Sequence, residues 1–219
     1  MRKRFEDQLN ELNRLMTKMG ELLHEALGMT VEAMVSKDVE LANKIIIHDI
    51  TIDEMEKEIE LLCMRLLMQQ QPVARDLRII SSALKIITDM ERIGDHTADI
   101  SENITYMVKD DYIPNISDIL KMADIATQMV RDSIRAFVQK DIELAREVLT
   151  KDDAVDALFL KVKLDLISKL RDDASFGEQA LDLMMNAKYF ERIGDHAENI
   201  AEWVEFAITG VHRKTKTED

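Results

Sequence analysis

A six-residue motif occurs twice in this chain of 219 residues, and the repeat constrains the fold more than any other sequence feature. Glu91-Arg-Ile-Gly-Asp-His96 recurs letter for letter as Glu191-Arg-Ile-Gly-Asp-His196. Upstream, Lys37-Asp-Val-Glu-Leu-Ala42 has a partner in Lys140-Asp-Ile-Glu-Leu-Ala145. The offsets are 103 and 100 residues, so one connection is three residues shorter in the second copy, and we place it after Leu170. Two blocks repeated in the same order indicate an internal duplication.

The composition favours long helices. Two prolines and six glycines are too few for the turns of an all-β protein, and strong helix formers are abundant. We therefore predict an all-α fold of six long helices in two tandem, pseudo-symmetric three-helix bundles, joined end to end or side by side. The predicted boundaries are 1–110 for the first repeat, 111–117 for a linker, 118–210 for the second repeat and 211–219 for a flexible basic tail.

Capping residues locate the helix ends. Asp38 and Asp141 are suited to cap the second and fifth helices, and Ser117 is suited to cap the fourth. Ser175-Phe-Gly-Glu178 has the spacing of a capping box and predicts the start of the sixth helix, which continues to about Thr209.

Charge and cysteine content limit the cell compartment and the partners. The net charge of −14 disfavours nucleic-acid binding, because the phosphate backbone repels an acidic protein. Cys63 is the single cysteine, which excludes an intrachain disulfide and is typical of a reducing cytoplasm. No segment is apolar enough to span a bilayer. We expect a cytoplasmic protein that reaches a membrane only through its partners.

Acidic residues interrupt the apolar stripes of four helices, each time as an acid followed four residues later by Asp. The pairs are Asp49/Asp53, Glu91/Asp95, Asp152/Asp156 and Glu191/Asp195. Four carboxylates gathered in one bundle repel one another, and desolvating each ion costs several kcal/mol. They are tolerated if they are protonated, paired with arginine or bound to cations, and oxygen-rich clusters suit Mg, Mn, Ca or Fe. We predict a metal cluster in each repeat; solvated acidic helix faces are the alternative.

Other residues near these pairs are candidates for further ligands or supporting groups. They are Glu56, Asp99, Glu198, Arg92, Arg192, His96 and His196. Each histidine lies about 100° around the helix from its neighbouring Asp, so we expect a supporting role and not direct ligation. Gly94 and Gly194 predict either close helix packing or room beside a cluster. No nucleophile with a histidine base is evident, so catalytic residues are not predicted.

These motifs resemble those of the PhoU family, the accessory regulators of bacterial phosphate uptake. The resemblance lies in Gln71-Pro-Val-Ala-Arg-Asp-Leu-Arg78, Asp89-Met-Glu-Arg-Ile-Gly-Asp-His96 and Asn186-Ala-Lys-Tyr-Phe-Glu-Arg-Ile-Gly-Asp-His-Ala-Glu-Asn-Ile200, and extends over essentially the whole chain. It implies two three-helix bundles that bind multinuclear metal clusters at the four acid pairs. Iron is favoured by the resemblance, with Mn, Mg, Zn, Ca or Ni as alternatives. Asp99 corresponds to Asn199, and Ala98 to Glu198, so the two clusters are not identical.

The resemblance also implies a role. When phosphate is plentiful, PhoU-like proteins restrain a sensor kinase of the PhoR type and couple it to the ATPase of a Pst-type phosphate transporter. We expect a non-enzymatic, metal-binding regulator that forms a homodimer. Two other hypotheses stay open. One is a di-metal carboxylate enzyme such as an oxidase, for which Glu21-Leu-Leu-His24 supplies a single Glu-x-x-His pair; the other is a metal-free adaptor.

Overall fold

The computed structural model describes residues 2–70, 73–107 and 116–212, and nearly all of these residues are helical. The helices are α1 (Arg2–Ser36), α2 (Val39–Gln70), α3 (Ala74–Met107), α4 (Ser117–Gln139), α5 (Ile142–Asp172) and α6 (Gly177–Thr209), with a 3-10 turn at Ala174–Phe176. The prediction of an all-α fold with six long helices is confirmed. Helices of this length are stable because they pack lengthwise against one another.

The two three-helix bundles lie side by side. Helix α2 packs on α1 and α3, and α5 packs on α4 and α6. The bundles join where α3 packs along α6 and α1 along α4. The central pair, α3 and α6, therefore contacts both halves of the molecule, while α2 and α5 form its opposite edges.

A continuous apolar core runs through both bundles. On α3 it includes the fully buried Ile80, Met90 and Ile100, and on α6 it includes Phe190 and Ile200. Burying a side chain of this size contributes about 1.5–3 kcal/mol, so this core is the main stabilising term of the fold.

The helix turns at the start of α2 and α5 are alike in the two repeats. Asp38 accepts a hydrogen bond from the Leu41 backbone N–H at 3.0 Å, and Asp141 accepts one from the Leu144 N–H at 3.0 Å. The residue before each cap is a lysine in the left-handed region, Lys37 with φ 58° and its counterpart Lys140 with φ 57°. Both predicted N-caps are confirmed.

Two other predicted caps are wrong. Helix α4 begins at Ser117 itself with Ile116 as its N-cap residue, and no side chain accepts a capping hydrogen bond there. Before α6, Asp173 accepts a hydrogen bond from the Ser175 N–H and so caps the 3-10 turn; α6 then follows from Phe176 without a side-chain cap. The capping-box spacing fails because a stronger acceptor lies two residues earlier.

The predicted linker and tail fall largely outside the described residues. Of the linker only Ile116 and Ser117 are described, and of the tail only residues 211 and 212. His212 stacks on Phe206 with ring centroids 3.9 Å apart and meets the edge of Trp203. Within the described parts of the chain, none of the helices has an apolar stretch long enough to cross a bilayer.

Candidate functional site

The first group of predicted acids lies along the groove between α2 and α3. Asp49 and Asp53 are one turn apart on α2, and Glu91 and Asp95 are one turn apart on α3. Because the two helices are antiparallel neighbours, the pairs meet across the groove. Carboxylate oxygens of Asp49, Asp53 and Asp95 lie within 4.8 Å of one another. We call these four acids the first cluster.

The second group occupies the equivalent groove between α5 and α6. Asp152 and Asp156 lie on α5, and Glu191 and Asp195 lie on α6. Oxygens of Asp152, Asp156 and Asp195 lie within 4.8 Å of one another. We call these four acids the second cluster. The duplication has thus placed the same acid geometry at both edges of the central helix pair.

The acids lie at the edge of the hydrophobic core, which corrects the inward-pointing geometry predicted from the apolar stripes. Glu91 and Asp95 are half-buried, and Asp195 is exposed, as is Asp156. Helix α3 packs against α1, α2 and α6, so its buried face is wider than the stripe. The acids lie along one edge of this buried face, so their side chains remain partly exposed to water.

The motif glycines make room for the acid that faces them. A Cβ at Gly94 would lie 2.7 Å from Asp49 Oδ1 and 3.1 Å from Ile52 Cγ2. A Cβ at Gly194 would lie 3.5 Å from Asp152 Oδ1, an ordinary contact. Close approach of α2 to α3 therefore requires glycine in the first repeat, while the second repeat tolerates a methyl group there.

Burial and mutual repulsion raise the pKa values of the acids at the centre of each cluster. Burial, followed by the charges of Asp95, Asp53 and Glu91, raises the pKa of Asp49 to about 6. Burial raises the pKa of Asp152 to about 7, helped mainly by Glu198 and Asp156. In both grooves a proton or another cation stabilises the folded protein by relieving this repulsion.

Further acids in the grooves are disturbed in the same direction. Burial is the main cause that raises their pKa values, and repulsion by neighbouring carboxylates is the second. These acids are Glu56, Glu91, Asp156 and Asp195. Raised pKa values are therefore a property of each cluster as a whole.

The first cluster has the features expected of a cation site. Asp49 Oδ1 is buried and has no hydrogen-bond partner among the described residues, and it packs against Gly94 at the place where a Cβ would otherwise lie. A buried carboxylate oxygen without a partner is costly unless it gains a proton or a cation. The donors gathered in each cluster are carboxylate oxygens, which suit Mg²⁺, Mn²⁺, Ca²⁺ and the iron of carboxylate bundles. Asp49, Asp53 and Asp95 would hold such an ion.

The two motif arginines behave differently. Arg92 donates to Asp95 Oδ2 at 2.8 Å and lies 3.4 Å from Glu91 Oε2. The positive charge of Arg192 instead reaches His96, where it is a minor influence that lowers the pKa. Arg92 therefore pairs with acids of the first cluster, whereas Arg192 acts at the seam between α3 and α6.

The remaining predicted residues lie around the clusters. The charge of Glu56 acts on Glu91, and that of Glu198 acts on Asp152. Asp99 contributes weakly to the first cluster and pairs with His96, whose Nδ1 lies 3.4 Å from Asp99 Oδ2.

His96 and His196 meet each other at the seam between α3 and α6. Their ring centroids are 5.5 Å apart, and the ring of Tyr189 stacks on His96. Asp89 Oδ1 lies 2.8 Å from His196 Nδ1. Burial lowers the pKa of His96, and the hydrogen bond to Asp99 opposes this shift. The histidines join the two repeats.

Lys188 belongs to the second cluster but was not among the residues predicted from the sequence. Its Nζ donates to both carboxylate oxygens of Glu191 at 2.5 Å. The signal was present, because Lys188 precedes Glu191 by one helical turn, and repeat one has Thr88 at that position. Two buried acids of α4, Asp118 and Asp132, were also missed; both are neutralised by lysines.

Fold and site together define a class: an internally duplicated helical protein that carries one carboxylate cluster per three-helix bundle. The family model of the PhoU domain matches residues 16–104 and 119–204, one match in each predicted repeat. The chain belongs to the PhoU family.

Relatives and solved structures agree over nearly the whole chain. A phosphate-specific transport system accessory protein PhoU homolog from Clostridium acetobutylicum is 37% identical over 210 residues, covering 95% of this chain and 96% of the relative. Its counterpart from Aquifex aeolicus is 37% identical and covers 84% of each chain. The crystal structure of PhoU from Pseudomonas aeruginosa superposes with a TM-score of 0.91 at 29% identity, covering 94% of this chain and 100% of that one. The phosphate transport system regulatory protein PhoU from Streptococcus pneumoniae gives 0.89 at 28% identity, with coverage of 96% and 99%.

Proposed function

We propose that this protein is a metal-binding, non-enzymatic cytoplasmic regulator of phosphate homeostasis. It restrains the pathway of a PhoR-type phosphate-sensing kinase and modulates the ATPase of a Pst-type phosphate transporter. Membership of the PhoU family supports the link to phosphate, since relatives with most of their length in common are named accessory proteins of a phosphate-specific transport system. The observation that carries the metal part is the unpartnered, buried Asp49 Oδ1 inside a cluster of three aspartates.

Metal ions would act as structural links between helices. Asp49 and Asp53 belong to α2, and Asp95 belongs to α3, so an ion held by all three ties the edge helix to the central one. The same holds for α5 and α6 in the second cluster. A ligand that binds only the folded protein stabilises it by mass action. The edge helices would then present fixed faces to partner proteins.

Divalent or trivalent ions satisfy the charge of these grooves. Iron is the first choice by family resemblance, and Mn²⁺, Mg²⁺ and Ca²⁺ suit the all-oxygen donors. Zn²⁺ and Ni²⁺ are weaker candidates, because they usually take histidine or cysteine ligands and both motif histidines face the α3–α6 seam.

The proposed partners are the transporter ATPase, the sensor kinase and a second copy of the chain. A strongly acidic surface is compatible with docking on membrane-bound proteins and disfavours nucleic acid. Contact with the membrane would be indirect.

The enzyme hypothesis finds little support in the geometry. Glu21 and His24, the one Glu-x-x-His pair noted in the sequence, are exposed on α1, a helix that contributes no acid to either cluster. Oxygen consumption by the iron-loaded protein would overturn the non-enzymatic assignment.

Elemental analysis and calorimetry test the metal part. The protein is purified without chelator or affinity-column metal, and its metal content and melting temperature are measured before and after EDTA treatment. We expect bound metal and a lower melting temperature after chelation. Asp53→Asn/Asp95→Asn and Asp156→Asn/Asp195→Asn should each lose metal, whereas the matched controls Glu58→Gln and Asp165→Asn, exposed acids of α2 and α5, should not. Absence of metal from the wild type, with melting unchanged by EDTA, contradicts the proposal and leaves the metal-free adaptor.

A genetic test addresses the phosphate part. In a strain that lacks the protein, we expect a phosphate-starvation reporter to be active even in rich phosphate, and the wild-type chain to restore repression. Cluster variants that fold but fail to repress would connect the metal sites to the role. A reporter that responds normally without the protein would exclude this function.

A further inference from the structure

The second cluster contains a cation of its own. Lys188 donates to Oε1 and to Oε2 of Glu191, so both oxygens of that carboxylate are engaged. The side chain of Glu191 is 13% exposed and that of Lys188 is 37% exposed, so the pair is partly shielded from water. The ammonium also lies over the Phe159 ring, 5.2 Å from its centroid, within the range of a cation–π interaction.

The charge of Lys188 reaches beyond Glu191. The positive charge of Lys188 also acts on Asp195 and on Asp156. Its ammonium therefore acts on three of the four acids of the second cluster. A metal ion bound in the same groove would reduce the repulsion among these acids in the same way.

Among the described residues, none holds both oxygens of Glu91 in the first cluster as Lys188 holds those of Glu191. The residue equivalent to Lys188 is Thr88, which is exposed and donates its hydroxyl to the Leu84 carbonyl oxygen. The residue equivalent to Phe159 is Glu56, whose charge acts on Glu91. The end of the groove that holds an ammonium and a ring in repeat two holds an extra carboxylate in repeat one.

Arg92 does not take over this role in repeat one. Its side chain is 55% exposed and approaches the acids from the solvent side. Its guanidinium lies 3.4 Å from Glu91 Oε2 and 2.8 Å from Asp95 Oδ2, so its charge is shared between two acids. Lys188, in contrast, occupies both oxygens of Glu191.

We propose that Lys188 is an internal substitute cation: it withdraws Glu191 from the ligand set of the second cluster and lowers that cluster's affinity for metal. The first cluster thus binds metal with four acids available, and the second with Asp152, Asp156 and Asp195. The two clusters load at different metal concentrations, and Lys188 offsets part of the negative charge of the second cluster when metal is scarce. This inference rests on the proposed metal binding.

Mn²⁺ binding, followed by electron paramagnetic resonance of the free ion, tests the inference. The second cluster is isolated in an Asp53→Asn/Asp95→Asn background, where the first is disabled. There we expect Lys188→Thr and Lys188→Met to tighten Mn²⁺ binding about tenfold or more, because a positive charge beside the ion has been removed. Lys188→Arg keeps the charge and should keep the weak binding. Lys163→Thr, an exposed lysine of the same repeat, controls for net charge and should have no effect.

The reciprocal exchange gives an independent measurement. In an Asp156→Asn/Asp195→Asn background, Thr88→Lys should weaken Mn²⁺ binding by the first cluster to a similar degree. The inference fails if Lys188→Thr and Lys188→Met leave affinity unchanged in proteins that melt cooperatively, or if Thr88→Lys does not weaken binding. A wild-type protein that binds no Mn²⁺ and carries no metal when purified contradicts the proposed function itself, which is a different result.

Discussion

The two repeats share a backbone plan but surround their acids with different charges. Both have a capped edge helix, a motif glycine opposite an aspartate, and three aspartates whose oxygens lie within 4.8 Å. In repeat one an exposed arginine bridges the acids from outside, and in repeat two a half-buried lysine holds one acid from within. The comparison teaches that the duplication preserved the helix packing and the acid positions, while the neighbouring residues diverged and set the electrostatics.

The largest expected difference concerns stabilisation by metal. A free metal concentration of about 100 times Kd stabilises the folded state by about 2.7 kcal/mol per site. We expect Asp95→Asn to lose more of the Mn²⁺-induced rise in melting temperature than Asp195→Asn, because the first cluster binds more tightly. Differential scanning calorimetry at matched Mn²⁺ concentrations measures both. Equal losses would make the clusters equivalent.

Next in size is the pH dependence of the metal-free protein. A carboxyl whose pKa is higher in the folded state than in the unfolded one contributes stability below pH 4 that is lost as pH rises through the folded value. For Asp152 this loss continues to about pH 7, and for Asp49 to about pH 6. Asp152→Asn should therefore stabilise the EDTA-treated protein at pH 8 by about 2 kcal/mol.

Urea unfolding at pH 5 and pH 8 checks this pH dependence. The gain from Asp152→Asn should shrink at pH 5, and Asp49→Asn should give a smaller gain than Asp152→Asn at pH 8. A constant effect at both pH values would show that repulsion among the ionised acids is not its cause.

The motif glycines should respond to alanine with opposite signs. Gly94→Ala places a methyl group 2.7 Å from Asp49 Oδ1, so we expect a net loss of about 1–2 kcal/mol despite the higher helix propensity of alanine. Gly194→Ala meets only ordinary contacts and should gain up to about 1 kcal/mol. Chemical denaturation of the metal-free variants measures both. Equal signs would show that the closer packing of repeat one has no energetic consequence.

Removal of an N-cap should have the smallest effect on stability, and the effect should be equal in the two repeats. Asp38→Ala and Asp141→Ala each remove one N-cap hydrogen bond of 3.0 Å, and each should cost about 1 kcal/mol. Thermal unfolding compares them directly. A difference of more than the experimental error would show that divergence extends to the turns.

Some parts of this architecture could be predicted from residues alone. Asp38 and Asp141 identified the starts of α2 and α5 because a short acidic side chain before an apolar run satisfies free helix N–H groups. Ser117 and Ser175 carried the same kind of signal and were misleading, since the cap before α6 is decided by competition with Asp173. Local signals are reliable where no second acceptor lies nearby.

The candidate site, too, could be predicted only in part from the sequence. The spacing of acid pairs at i and i+4 placed each pair on one helix face and, with the repeat, predicted which pairs meet. Their depth was overestimated, because the sequence does not reveal that α3 contacts three other helices. The partner of Glu191 was overlooked even though Lys188 is one turn away, since many such pairs on helices are exposed and weak.

The helical class, the duplication, the capped starts of α2 and α5 and the acid pairs of the two clusters could be read from the residues alone, because they follow from local geometry and from repetition along one chain. The depth of the acids, the steric need for one of the two glycines and the cation that each acid meets became clear only from the packing of the helices. Those properties depend on side chains brought together from different helices, and burial makes their charges interact strongly where water would otherwise screen them.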